Sequence, residues 1–109
     1  MKIIYNRFIP FKGFVAINLF GVLFVREGYE GSVNNRLITH ETIHTKQMKE
    51  MLYVGFYVWY VVEWLIRLCY LWDTHKAYKR ISFEVEANAH ENILDYPTKR
   101  TPFRWLEYL

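Results

Sequence analysis

The residues best suited to chemistry in this chain are His40-Glu41-Thr42-Ile43-His44. If the segment is helical, two histidines four residues apart lie on one face, one turn from each other, and both reach a single ion. Glu41 then projects beside that face, placed to take a proton from a water activated by the ion. Zinc (Zn2+) held by neutral imidazoles and a carboxylate is the cation this donor set suits. With 4 His and 9 Glu in 109 residues, a shuffled chain contains such a pattern about one time in a hundred, so the segment ranks first as a candidate site. The bland alternative is a surface helix with two exposed histidines.

A catalytic zinc site has three protein ligands and one open position, so a third ligand must come from elsewhere. Ser82-Phe83-Glu84-Val85-Glu86-Ala87-Asn88-Ala89-His90-Glu91 is the richest source. On a helix Glu84, Ala87, Asn88 and Glu91 share one face, while Glu86 and His90 share another. The first face offers Glu84 as ligand, a small Ala87 where two helices can approach, and Asn88 as acceptor from a ligand histidine's free N–H. Glu86 or His90 would build the competing site.

These motifs carry a resemblance. HExxH followed by Glu84-x-x-Ala87-Asn88 resembles the gluzincin metallopeptidases, in which a second helix supplies a glutamate ligand, commonly within Glu-x-x-x-Asp. The short length resembles the compact minigluzincins. His44-Thr45-Lys46-Gln47, Ser82-Phe83-Glu84-Val85-Glu86-Ala87 and the aromatic helix are also similar to a family of short uncharacterised bacterial proteins, over most of the chain. The resemblance implies His40, His44 and Glu84 as zinc ligands, Glu41 as the base, and strands beside the active-site helix that align an extended peptide or protein substrate. Asn88 stands where the clan more often has Asp. Candidate oxyanion donors are His90, Tyr78 and Tyr96, which the sequence does not rank.

The elements that must position these residues fall into three blocks. Phe14 to Val25 is uncharged and rich in β-branched and aromatic residues, and reads as two short strands meeting near Asn18 to Gly21. From about Asn35 to Trp72 there is no proline and only Gly55 as a weak breaker, which reads as one long helix or two consecutive ones. Its stretch Met51 to Val62 is apolar all round, but 12 residues are short of the roughly 20 that a membrane span needs. Glu63 and Arg67 are spaced to pair on one face. A third block holds a helix from about Ser82 to Leu94 with Ser82 as N-cap, then Pro97, Pro102 and an aromatic tail able to fold back on the core or across the cleft. Cys69 reads as inert core, His75 as a residue on the long helix's C-terminal dipole, and Gln47 as facing either the cleft or solvent.

The fold expected is a single zincin-like domain over 1–109, α+β and mainly α. A short N-terminal β-hairpin or small sheet packs on a long active-site helix and a second zinc-ligand helix. Composition narrows the partners. The aromatic share is 19%, enough for a small core or a membrane interface, and the 51–72 segment is the expected place for peripheral membrane contact. A net charge of +3 is spread without a run longer than two (Lys79-Arg80, Lys99-Arg100), which argues against a nucleic-acid partner. One cysteine excludes an intramolecular disulfide framework. Lys2 and Arg7 precede an apolar stretch that Pro10, Lys12 and Gly13 interrupt, so no cleavable signal is apparent, and a cytoplasmic or membrane-associated location is expected. Two functions follow: a zinc-dependent hydrolase, possible in a latent form, or a zinc-binding or membrane-associated interaction module with little catalysis.

Overall fold

A computed structural model describes residues 2–9 and 14–109, so the interruption at Pro10, Lys12 and Gly13 lies outside the described residues. Three strands form one sheet: β1 (Lys2–Asn6), β2 (Ala16–Leu19) and β3 (Val22–Arg26). Five α-helices follow among the described residues: α1 (Asn35–Glu50), α2 (Val54–Leu71), α3 (Thr74–Arg80), α4 (Ser82–His90) and α5 (Tyr96–Lys99). About 60% helix against 13% strand makes this an α+β fold that is mainly α, as the sequence implies.

β2 and β3 form the expected hairpin, joined by Phe20 and Gly21, both with positive φ (53° and 90°). That is the backbone of a two-residue turn whose twist matches its strands. The hairpin is only part of the sheet. β1, which the sequence reading passed over, pairs in parallel with β3, giving the order β1-β3-β2 and leaving β2 at an edge. Leu23 and Val25 of the central strand are fully buried.

The long helical block is two helices. The break falls at residues 51–53 rather than at Gly55, with Leu52 (φ 55°) and Tyr53 (φ 61°) both left-handed. Tyr53 N–H closes the end of α1 by donating to Met48 O at 2.7 Å. Tertiary packing sets the position. The change of direction puts Phe56 against Phe83 (ring centroids 4.5 Å apart) and against His44, while Tyr53 and Tyr57 meet Phe20. The core is Met48, Phe56, Ile81, Phe83 and Trp105, flanked by half-buried Tyr57, Tyr60 and Trp64.

α3 is a helix the sequence reading missed. Asp73 caps it, accepting from His75 and Lys76 N–H, both at 3.0 Å. His75 therefore lies in the first turn of a new helix, not on the C-terminal dipole of the preceding one. α4 ends at His90, four residues short of the expected Leu94, and its N-cap is Ile81 rather than Ser82. Capping comes from another helix instead: Glu63 of α2 accepts from Ser82 N–H and Ser82 Oγ–H, both at 2.6 Å. The same carboxylate accepts from Trp59 Nε1 (3.2 Å) and, as the spacing implies, from Arg67 (3.3 Å). Two residues beyond Ser82 stands Glu84, so this contact fixes where the third candidate ligand points.

Cys69 is exposed, because α2 turns one long side away from the protein. The C-terminal tail packs behind α4, where Trp105 meets Phe83 (4.7 Å) and Trp59 (5.9 Å).

Candidate metal centre

α1 brings His40 and His44 together with their ring centroids 4.7 Å apart and nearly perpendicular. Their Nε2 atoms lie 3.1 Å from one another. Glu84 on α4 completes a triangle, with Oε1 3.2 Å from His40 Nε2 and 3.1 Å from His44 Nε2. These three residues form a group able to hold a metal ion. Ligand atoms about 2.0–2.1 Å from a tetrahedral ion lie about 3.3 Å apart, so the triangle matches three corners of such a shell and leaves the fourth open.

Each histidine is oriented from behind. His40 Nδ1–H donates to Glu91 Oε2 at 2.8 Å, and Glu91 is held in turn by Arg36 at 3.1 Å. His44 Nδ1–H donates to Gln47 Oε1 at 2.7 Å. Both Nε2 lone pairs are thereby aimed inward, at each other and at a carboxylate. Three acceptor atoms within 3.2 Å require a proton or a cation among them. The charge balance agrees. Burial pulls the His44 pKa down, but the charge and hydrogen bond of Glu84, with Glu41 and Gln47, outweigh it and raise the value from 6.5 to about 9. Burial pushes the Glu84 carboxyl up, yet His44, His40 and the Tyr60 hydroxyl hold it well below the usual carboxylate range.

Gln47 is fully buried, neither facing the cleft nor solvent. Its Nε2 donates to Phe83 O (3.0 Å) and Glu86 Oε1 (2.9 Å), two groups that only accept. Glu86 is thus turned away from the centre. It also takes Tyr96 O–H (2.8 Å) and Arg100 Nε (2.7 Å), and Arg100 reaches on to Glu50 (2.8 Å). His90, the other residue of that alternative, stacks on Tyr96 at 3.9 Å and bonds Tyr108. The structure therefore brings Glu84, and neither Glu86 nor His90, to the histidines.

Asn88 does not take the role expected of it. It is exposed, and among the described residues the acceptors for the histidine N–H groups are Glu91 and Gln47. Glu91 was legible as a member of the same helical face, and its longer side chain reaches where Asn88 does not.

Glu41 lines a cleft of about 880 Å³ together with His44, Glu84, Tyr60 and Tyr78. Ala16 and Ile17 of β2 form one wall, and Phe56, Tyr57 and Trp64 form much of another, so the cleft is largely apolar around a polar centre. Tyr60 O–H donates to Glu84 Oε2 at 2.7 Å, leaving Oε1 for the ion. Of the three candidate oxyanion donors only Tyr78 reaches the cleft. Burial, then the nearby Glu84 and Glu41, raises its pKa, so it stays a phenol and a donor. Asn18 ties the sheet to α1: its Nδ2 donates to Glu41 O (3.0 Å) and Thr45 Oγ1 (3.1 Å). No residue of the tail 103–109 lines the cleft, so the aromatic tail is not a plug.

Comparisons with protein-family models, curated proteins and solved structures found no match for this chain.

Proposed function

We propose that this chain is a zinc-dependent hydrolase, in the manner of a small metallopeptidase. One observation carries the reading: the His40, His44 and Glu84 ligand atoms form a near-equilateral triangle with Glu41 beside it on the cleft wall. Zinc, when bound, supplies a Lewis acid that polarises a carbonyl and acidifies water. Glu41 accepts the proton of the attacking water and returns it to the leaving amine. Tyr78 O–H donates to the oxyanion that develops on the former carbonyl. The edge position of β2, with Ala16 and Ile17 on the cleft, supports an extended peptide as substrate, held by main-chain hydrogen bonds.

The test is metal content and turnover together. The purified chain is expected to hold one equivalent of zinc, to lose it in His40→Ala and Glu84→Ala, and to keep it without turnover in Glu41→Gln. A chain that retains no zinc at neutral pH overturns the proposal.

Membrane contact belongs to the same proposal. α2 is long and apolar enough to cross a bilayer by length and composition, and only 11% of it is buried. Its exposed apolar side supports attachment to a membrane.

A further inference from the structure

α2 carries a lengthwise stripe that nothing among the described residues covers. Val54, Val58, Val61, Val62, Leu65 and Ile66 are all exposed, and Cys69 continues the row. From Val54 to Cys69 the stripe runs most of the length of the 18-residue helix, about 24 Å. The two charged residues of the helix are elsewhere: Glu63 is buried against Ser82, and Arg67 pairs with it.

The ends of the stripe are marked as well. Leu52 (83% exposed) and Trp72 (87% exposed) are the two most exposed large apolar side chains among the described residues. Both sit at left-handed backbone (φ 55° each), which is unfavourable for any residue with a side chain. The turns at either end of α2 thus hold a large apolar group out into solvent. Basic residues flank both: Lys49 before Leu52, and Lys76, Lys79 and Arg80 after Trp72, all exposed.

We propose that α2 lies in the plane of an anionic lipid surface, its stripe among the acyl chains, Leu52 and Trp72 as anchors, and the basic residues of α3 at the headgroups. This rests on the reading that α2 meets a bilayer, and adds its pose and lipid charge. A spanning pose conflicts with the inner side of the helix, where Phe56 is core, Tyr60 holds Glu84 and Glu63 caps α4. A helix apolar on one long face and bound to protein on the other suits the interface. A second copy of the chain fits worse. Packed along α2 in either direction, it sets Lys49 or the α3 cations of one copy against like charges of the other. An anionic surface meets those charges with opposite sign. Since the inner side of α2 lines the cleft, docking brings the metal centre within about one helix diameter, 10–12 Å, of the lipid.

The test is co-sedimentation of the full chain with vesicles of phosphatidylcholine alone and of phosphatidylcholine mixed with phosphatidylglycerol. Binding is expected only to the mixed vesicles, weakening with salt. The triple variant K76Q/K79Q/R80Q is expected to bind roughly a hundredfold more weakly, and L52S/W72S to lose binding, both with unchanged melting curves. Bromines placed just beneath the headgroups should quench the Trp72 emission, read as the difference from W72F. Equal binding to neutral vesicles, or quenching only at mid-bilayer, overturns the pose and lipid charge while leaving membrane contact standing. Binding to neither vesicle overturns membrane contact itself. A lipid-free dimer lost on Val58→Lys assigns the stripe to a second copy and overturns the proposal.

Discussion

Gln47 Oε1 sits 2.7 Å from His44 Nδ1, and the far end of the amide fixes that orientation by donating to Phe83 O and Glu86. A flipped amide would aim its NH2 group at His44 and its oxygen at two acceptors. The His44 tautomer with Nε2 free for a metal is therefore set by residues outside the ligand triangle.

Gln47→Leu is expected to weaken zinc binding by about 10–100-fold, as loss of such a partner does in other sites. Competition against a chromophoric chelator measures it. An unchanged affinity would show that packing alone orients His44.

Glu41→Gln is expected to leave the zinc content at one equivalent while lowering turnover by about 10²–10⁴-fold, the usual worth of a positioned base. Metal analysis and a peptide-library digest of the same preparation check both halves.

Metal-free stability has a calculable pH window. The His44 pKa is raised on folding, so its contribution is complete below its unfolded value near 6.5 and is lost as pH rises through about 9. That of Glu84 is lowered, so its contribution is present above 4.5 and disappears as pH falls toward its depressed folded value. The melting temperature of the metal-free chain should therefore be highest between about 4.5 and 6.5 and decline toward 9. Zinc should reverse the upper trend, since binding displaces the His44 proton. Calorimetry in buffers of different ionisation enthalpy is expected to show release of about one proton per zinc at neutral pH.

Glu63→Ala removes one carboxylate from four donors, including the amide at the start of α4. A loss of about 3–5 kcal/mol is expected, measured by denaturant unfolding. Zinc affinity should fall with it, because Glu84 lies two residues past Ser82.

Much of the centre was legible because its geometry is local. His40, Glu41 and His44 sit within one helical turn, and Glu84 and Glu91 share a face by period alone. The hairpin turn was legible for the same reason, since Gly21 tolerates the angle required there. The parts that were not legible depend on tertiary partners. Ser82 has the chemistry of an N-cap, yet Glu63, distant in sequence, takes over the capping. Cys69 lies in an apolar run that reads as core, but composition cannot tell an inward face from an outward one. β1, Lys-Ile-Ile-Tyr-Asn, carries strand-forming residues, but its five residues hold no turn signal linking them to a partner, and the parallel pairing with β3 is distant in sequence. Asn18, buried in a strand, gave no sign that it would clamp α1.

The buried chain from Arg100 through Glu86 and Gln47 to His44 has a consequence for biosynthesis. His40 and His44 leave the ribosome long before Glu84, and Glu84 before Arg100. An ion met early has two imidazoles on an unsupported helix, a weak and exchangeable hold. The groups that complete and brace the centre lie at least 40 positions further along the chain and arrive well after the histidines, together with Trp105, which seals the core behind α4. Tight capture of an ion at this centre would thus be a late event, and a chain truncated before Arg100 is expected to be synthesised with both histidines intact and still fail to keep an ion.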